Sequence, residues 1–223
     1  MSTALQPGHL DAFAGPLAEP QVQSVAVIAV GGRKGGIGKS TTAFNLAAAS
    51  GSPLIDADPQ GTSAALAEAT PATALKLKTV LDQAEKEAPL VWLDLPPRLD
   101  TNVLEAMRRA DFLLLPCPPE QPCFTALEAT IEKVASVGKL DEALVVLTLV
   151  APQASASYLA SFKEAVEELG VTVTNTLIHR RADAANAWAY GQSVMETAPK
   201  SKAAQEVQTL WKEVKRRWKL AKR

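Results

Sequence analysis

One stretch restricts the fold of this chain more than any other, an apolar segment that runs directly into a glycine-rich loop and then into a helix-forming segment. Six apolar and mostly β-branched residues, Val25–Val30, predict a buried parallel strand. The loop that follows, Gly31–Gly38, contains five glycines and cannot hold regular structure, and the segment from Ser40 to Ala49 predicts a helix. Strand, glycine loop and helix in this order predict a phosphate-binding site.

The glycines of the loop expose backbone donors. Because Gly35, Gly36 and Gly38 lack a Cβ atom, successive N–H groups can turn toward a phosphate at the helix N-terminus, where unpaired amides and the helix dipole favour negative charge. Lys39 then supplies a mobile ammonium for the β- and γ-phosphates, and the Ser40 hydroxyl is placed to ligate Mg²⁺. The loop therefore predicts a nucleoside triphosphate with Mg²⁺ as its ligand.

The loop departs from the standard pattern G-x-x-x-x-G-K-[ST], because Arg33 stands where that pattern has glycine. It fits the variant K-G-G-x-G-K-[ST], with Lys34 five residues before Lys39. This variant, called the deviant Walker A motif, resembles the ParA/MinD class of P-loop ATPases. The resemblance implies that Lys34 reaches across a dimer interface to the partner's ATP, so that an ATP-sandwich homodimer forms. The implied nucleotide-binding residues are Lys34, Gly35, Gly36, Ile37, Gly38, Lys39, Ser40 and Thr41.

Two later segments resemble the same class. The segment Asp56-Ala57-Asp58-Pro59-Gln60-Gly61 follows a short predicted strand, Leu54–Ile55, and implies that Asp58 orients the hydrolytic water while Asp56 supports the outer shell of Mg²⁺. An apolar run ends in Asp94 and continues as Leu95-Pro96-Pro97, which resembles a Walker B strand that delivers a carboxylate to the Mg²⁺ site. The candidate catalytic residues are thus Lys34, Lys39 and Asp58, and the candidate metal ligands are Ser40, Asp56 and Asp94.

Strand and helix patterns alternate along the rest of the chain, with short connections. This alternation predicts an α/β P-loop NTPase fold, with a mainly parallel twisted sheet flanked by helices on both faces. Ligands of such folds bind at the carboxyl ends of the strands, where Lys39, Asp58 and Asp94 would converge. The predicted helices span 62–69, 79–87, 101–109, 124–137 and 158–169, and the predicted strands span 75–77, 90–94, 112–115, 144–150 and 171–178.

Two regions are expected. Residues 1–23 contain three prolines without a hydrophobic period and predict a flexible leader, too short for the helix-turn-helix domain that precedes the ATPase in some longer partition proteins. Residues 24–223 predict one ParA-like P-loop ATPase domain that ends in a basic amphipathic helix. The full length of 223 residues is ample for one large domain with a buried core.

Targeting and redox signals favour the cytoplasm. No apolar run approaches the roughly 18 residues of a membrane span, and the first 24 residues lack the pattern of a signal peptide. The two cysteines, Cys117 and Cys123, do not form a disulfide framework, and their spacing is not typical of zinc sites. We therefore expect reduced thiols in a cytoplasmic protein, and the resemblance implies association with the nucleoid.

A formal net charge of −1 conceals a basic C-terminal segment. Residues 200–223 carry +7, so the remainder carries −8. On the terminal helix, an apolar stripe from Val207 to Ala221 lies beside a basic stripe that could contact non-specific DNA, face an anionic membrane or be merely solvated. The apolar stripe is modest in width and is needed for docking, which disfavours stable membrane insertion.

The match to the DNA-binding surface of the class is partial. His179 replaces a proline that is usual in partition ATPases, and Asp183 stands where a basic residue implicated in DNA binding is often found. The remaining DNA-binding candidates are Arg180, Arg181, Lys200, Lys202, Lys215, Arg216 and Lys219.

The resemblance implies a partition ATPase for plasmid or chromosome segregation. ATP and Mg²⁺ would drive homodimerisation, the dimer would bind non-specific DNA, and hydrolysis stimulated by a ParB-like or adaptor protein would release it. Three alternatives stay open: a MinD-like membrane-associated positioning ATPase, a ParA-like ATPase that positions a non-DNA cargo, and a DNA-binding scaffold that binds ATP without meaningful turnover.

Overall fold

The computed structural model describes residues 26–58, 69–71, 82 and 88–221. Within these residues, seven strands form one sheet in which every neighbouring pair is parallel. Their order across the sheet is β3-β2-β4-β1-β5-β6-β7, where β1 is Ala26–Val30, β2 is Leu54–Asp56, β3 is Ala69–Pro71, β4 is Leu90–Asp94, β5 is Phe112–Cys117, β6 is Ala143–Leu147 and β7 is Thr172–Val173. The predicted parallel α/β fold is confirmed.

Local signals account for where several helices begin and end. The side chain of Asp100 accepts a hydrogen bond from the Val103 N–H and so caps one helix, and Ser155 caps another in the same way. Gly51, in the left-handed conformation at φ 65°, ends the first helix. The described helices are α1 (Lys39–Ser50), α2 (Thr101–Arg109), α3 (Gln121–Ser136), α4 (Ala156–Glu167), α5 (Ala182–Ala189), α6 (Val194–Thr197) and α7 (Lys202–Ala221).

Helices cover both faces of the sheet, because the side chains of a strand alternate between its two faces. On β1, Val27 and Ala29 pack into a core shared with α2, α3 and α4. The intervening residues of β1 point into a second core, where α1, α5, α6 and α7 pack. All five residues of β1 are buried, which explains its continuous apolar run.

Several predicted boundaries were wrong. The strand predicted for 171–178 is only Thr172–Val173, because the chain then turns so that the Thr174 hydroxyl donates to the Thr176 carbonyl at 2.8 Å. Ala69, placed at the end of a predicted helix, begins β3 instead. The short helices α5 and α6 were not predicted.

Some predictions fall on residues outside the described ranges. The leader at 1–23 and the strand at 75–77 lie there entirely. Residues 62–68 of the helix predicted for 62–69 also lie outside the described ranges. Of the helix predicted for 79–87, only Asp82 is described, and it is helical. Among the described helices, none combines the length and apolarity that crossing a membrane requires.

Candidate nucleotide-binding site

The candidate site lies at the carboxyl edge of the central strands. In the sheet register, Asp94 at the end of β4 is opposite both Val30 at the end of β1 and Asp56 at the end of β2. The glycine loop leaves β1 at this edge, and β1 has β4 on one side and β5 on the other, so the chain order reverses here. In open parallel sheets, such a switch point is where ligands bind.

Two glycines of the loop are required by backbone conformation. Gly36 has φ 75° and Gly38, the N-cap of α1, has φ 88°, both in the left-handed region that other residues rarely adopt. The backbone of the loop is also held by Thr148, whose hydroxyl donates to the Ile37 carbonyl at 2.8 Å. A Cβ added at Gly35 would meet no atom within 4 Å, so space is open above this backbone for a bound group.

Lys39 occupies the centre of the site. Its side chain is buried, and its ammonium donates to the Lys34 carbonyl at 2.9 Å. Burial lowers the pKa of Lys39, while the carboxylates of Asp94 and Asp58 oppose this change by favouring the charged form. The ammonium is therefore bonded to a backbone carbonyl and is favoured electrostatically by two acidic groups, at the position where phosphate oxygens would compete for it.

The three aspartates meet at this edge as predicted. Asp56 and Asp94 are buried, whereas Asp58 is half-buried. The Asp58 N–H donates to Asp56 Oδ1 at 2.8 Å, and the Ala57 N–H donates to the Asp94 carbonyl at 2.9 Å, so the turn after β2 orients the Asp56 side chain and fixes the backbone of Asp58 relative to β4.

The donor set suits Mg²⁺ bound together with phosphates. Asp56 and Asp94 supply hard carboxylate oxygens, and Ser40 supplies a hydroxyl in the first turn of α1. Two carboxylates and a hydroxyl suit Mg²⁺, which commonly uses one or two carboxylates and completes its octahedral shell with water and substrate phosphates.

Lys34 contacts its own chain. Its ammonium lies 3.3 Å from the Sγ atom of Cys123 on α3, and the N–H of the preceding Arg33 donates to the Thr130 hydroxyl at 3.2 Å. The first half of the loop therefore lies along α3. The sequence predicted a role for Lys34 across an interface but not this contact, since no motif marks Cys123 or Thr130.

Both cysteines are buried free thiols. Burial raises the pKa of Cys117 to about 12, with a further contribution from Cys123 and an opposing one from Lys34. Cys117 is therefore a neutral thiol at physiological pH, and its Sγ atom lies 3.4 Å from the Pro118 carbonyl.

The DNA-binding candidates differ in exposure and in ion pairing. Arg181 is half-buried, and its guanidinium donates to Glu206 at 2.6 Å. The same carboxylate accepts the His179 N–H at 3.0 Å and lies 2.9 Å from the His179 ring. The side chain of Lys219 lies outside the described part of the structure. The other candidates are exposed: Arg180, Lys200, Lys202, Lys215 and Arg216.

A polar cluster beside the loop was missed by the sequence. Asn45 on α1 donates to the Thr41 carbonyl at 2.8 Å and accepts from the Ser193 hydroxyl at 3.0 Å and the Val194 N–H at 2.9 Å. These bonds connect the first turns of α1 to α6. Asn45 sits within an apolar helix pattern, and its fixed partners are 148 and 149 residues away, so no local signal could identify it.

A protein-family comparison and a protein relative agree with this geometry. Residues 28–194 match a family described as the CobQ/CobB/MinD/ParA nucleotide binding domain. The chain is 30% identical over 221 residues to Maintenance of carboxysome distribution protein A from Halothiobacillus neapolitanus, a match that covers 84% of this chain and 95% of that protein.

Solved structures share the fold. The chain is similar to MinD from Pyrococcus horikoshii OT3 in complex with Mg-ADP, with a TM-score of 0.68, 17% identity, and coverage of 88% of this chain and 98% of that one. It is also similar to an ATP complex of a McdA variant from Cyanothece, with a TM-score of 0.64, 19% identity, and coverage of 86% and 96%. The chain therefore belongs to the CobQ/CobB/MinD/ParA nucleotide-binding domain family, and the resemblance to the ParA/MinD class is confirmed.

Proposed function

We propose that this chain is an ATP-hydrolysing positioning protein, active as a homodimer that closes around ATP. The observation that carries the proposal is the pair of lysines on one glycine loop, with the Lys39 ammonium held beside the acidic edge formed by Asp58 and Asp94. This edge combines a phosphate cradle, a mobile cation and oxygen ligands, which are the components that phosphoryl transfer requires.

In the proposed reaction, the loop amides and Lys39 bind the phosphates, and the Lys39 ammonium exchanges the Lys34 carbonyl for phosphate oxygens. Ser40, Asp56 and Asp94 would hold Mg²⁺. When bound, Mg²⁺ neutralises charge that develops on the phosphate oxygens. Asp58 orients the attacking water, in a position fixed by its N–H bond to Asp56. Lys34 of each subunit stabilises the nucleotide of the other.

We propose a non-DNA cargo. Support comes from the relative in Halothiobacillus neapolitanus, which is named for carboxysome distribution and aligns over nearly its whole length. The first prediction, plasmid or chromosome partition, fits this relative less well than the alternative of a large protein assembly that reaches the ATPase through an adaptor protein. Non-specific DNA would then serve as the surface on which the dimer is retained.

The described part of α7 argues against MinD-like membrane attachment. Val207, Leu210 and Val214 on its apolar face are buried against the sheet. Trp211 makes an edge contact with Trp92 on β4, with ring centroids 5.9 Å apart. A face that is occupied by the core is not available for insertion into a lipid surface.

The ATPase proposal is tested by phosphate release from the purified chain with ATP and Mg²⁺. Lys39→Ala should reduce turnover by about 100-fold or more, because a positive donor to the transferred group is lost. Lys133→Ala, which removes an exposed ammonium on α3, is the matched control and should keep wild-type turnover. Turnover by Lys39→Ala at the wild-type rate would contradict the assignment.

The cargo proposal is tested in cells of the source organism by deleting the gene for this chain. We expect protein assemblies to cluster or to be inherited unevenly, while chromosomes and plasmids segregate normally. Plasmid loss with normally distributed protein assemblies would instead support DNA partition.

A further inference from the structure

Lys34 and Lys39 are joined by a chain of contacts that ends on α3. The Lys39 ammonium donates to the backbone carbonyl of Lys34 at 2.9 Å, and the Lys34 ammonium lies 3.3 Å from Cys123 Sγ. A second bond, from the Arg33 N–H to the Thr130 hydroxyl at 3.2 Å, holds the same part of the loop on the same helix. Residue 34 is therefore held at both its backbone and its side chain.

The contacts of Lys34 lie within a single subunit. The loop residues from Gly31 to Lys34 and the α3 residues Cys123, Leu127 and Thr130 line one small pocket. Cys123 is 4% exposed, so the Lys34 ammonium reaches inward to a buried thiol. The Lys34 side chain cannot contact Cys123 in its own subunit and reach across a subunit interface at the same time.

We propose that Cys123 is a positioning residue that holds Lys34 against its own subunit, and that phosphate binding at Lys39 releases it. The inference rests on the proposed function, in which Lys34 acts on the partner's ATP. A phosphate that takes the Lys39 ammonium also removes the hydrogen bond on the Lys34 carbonyl. The loop segment then keeps only its contacts with α3. Because one of its two restraints is lost, the Lys34 side chain can leave Cys123 and move to the interface.

The chemistry of the contact suits a reversible restraint. A thiol sulfur is a weak hydrogen-bond acceptor, whereas a phosphate oxygen carries negative charge, so the Lys34 ammonium makes a stronger hydrogen bond with a phosphate than with Cys123. The triphosphate of a second subunit can therefore compete for Lys34. With ADP, the missing γ-phosphate removes part of that competition, so the contact helps to make dimerisation depend on ATP.

The first test measures the contact itself and does not depend on ATPase activity. Purified protein without nucleotide is treated with an amine-acylating reagent, and the modification of Lys34 is quantified by peptide mass spectrometry. Cys123→Ala should increase the rate at Lys34 by about 2- to 10-fold, because a hydrogen bond of about 1 kcal/mol is lost. Cys123→Ser, which keeps an acceptor at this position, should restore the wild-type rate.

Ser136→Ala is the control, since it removes an exposed hydroxyl on the same helix, α3, that donates to the Lys133 carbonyl at 2.7 Å. It should leave the Lys34 rate unchanged.

Circular dichroism and thermal unfolding identify variants that have lost the fold. If Cys123→Ala is among them, Thr130→Val is the second variant: it removes the hydroxyl that accepts from the Arg33 N–H and donates to the Ala126 carbonyl, and it should also increase the Lys34 rate because the loop is then held less firmly on α3. An unchanged Lys34 rate in folded Cys123→Ala would overturn the proposal.

The second test measures the ATP concentration at half-maximal dimerisation, by analytical ultracentrifugation. Cys123→Ala should lower this concentration by about 2- to 10-fold, and Cys123→Ser should not change it. Faster labelling without a shift in the ATP requirement would overturn the coupling between phosphate and Lys34. If no variant dimerises, wild type included, the proposed function fails, while the labelling result still decides whether Cys123 holds Lys34.

Discussion

At the scale of single residues, the position of Asp58 is set by a local turn. Its N–H donates to Asp56 Oδ1 at 2.8 Å, which keeps the Asp58 backbone at the carboxyl end of β2. Asp58 is half-buried, and its negative charge favours the ammonium form of Lys39. A carboxylate so placed can accept a hydrogen bond from water near a phosphate bound at the loop.

We expect Asp58→Ala to bind ATP but to hydrolyse it at a rate lower by about 100-fold or more. The group that orients water is lost, while the phosphate cradle remains. Single-turnover phosphate release together with equilibrium binding of a fluorescent ATP analogue separates these two effects. Asp183→Ala, which removes an exposed carboxylate at the start of α5, should behave as wild type. Loss of ATP affinity in Asp58→Ala would show that the residue binds nucleotide rather than water.

The sequence identified the residues whose chemistry depends on local order along the chain. Lys34, Lys39 and Ser40 could be named as candidates because a glycine loop before a helix admits few other uses, and their roles at a bound nucleotide stay predictions. Cys123, Thr130 and Asn45 could not, because their partners lie 89, 97 and up to 149 residues away, respectively, and only the folded chain brings them together.

At the scale of elements, one acidic side chain of α7, Glu213, binds the segment that follows β7. Glu213 is buried on α7 and accepts hydrogen bonds from the Asn175 N–H at 2.8 Å, the Thr176 N–H at 3.0 Å and the Thr176 hydroxyl at 2.8 Å. Burial raises the pKa of Glu213, but these bonds and the nearby Arg217 outweigh burial and leave the pKa below its usual value. The ionised carboxylate therefore stabilises the folded chain.

Glu213→Gln should lower the free energy of unfolding by about 1.5–3 kcal/mol near neutral pH, since hydrogen bonds to a charged group are lost. Because the pKa is lowered in the folded chain, the wild-type advantage is complete above the unfolded pKa of about 4.3 and declines as the pH falls through the folded pKa. Urea unfolding at several pH values measures this difference.

Glu132→Gln, an exposed substitution on α3, is the control and should change stability by less than about 0.5 kcal/mol. A difference between wild type and Glu213→Gln that grows with acidity would contradict the anchoring role of the carboxylate.

Elements with a strong hydrophobic pattern were predictable, and short ones were not. The predicted α2 boundaries, 101–109, agree with the structure, because Asp100 caps its start and apolar spacing continues to its end. The strand predicted for 171–178 is shortened to two residues because the Asn175 and Thr176 amides bind Glu213 instead of a neighbouring strand. Tertiary hydrogen bonds of this kind leave no local pattern.

At the scale of the whole molecule, several exposed basic side chains are available to bind a polyanion. Arg180, Lys200 and Lys202 are exposed, as are Lys215 and Arg216 on α7. The Lys215 ammonium lies 5.6 Å from the centroid of the Trp211 ring, which restrains it at the surface. A dimer would present two such surfaces, and simultaneous contact by both increases affinity for one long polyanion.

We expect ATP-dependent binding to random duplex DNA that weakens steeply with salt, because phosphate contacts release condensed counterions. The double substitution Lys215→Ala and Arg216→Ala removes four cations from a dimer, two in each subunit, and should reduce the affinity and lower the salt slope by about 4. Fluorescence anisotropy over a series of salt concentrations measures both quantities. The Lys133→Ala control on α3 should leave them unchanged, and a double variant with the wild-type slope would place the DNA contact elsewhere.

The central claim is that Lys34 joins two subunits through ATP. Analytical ultracentrifugation of the Asp58→Ala variant with ATP and Mg²⁺, with and without the additional substitution Lys34→Ala, tests it most directly. We predict a dimer when Lys34 is present and a monomer when it is replaced. A stable dimer that forms equally well without Lys34 would contradict the account.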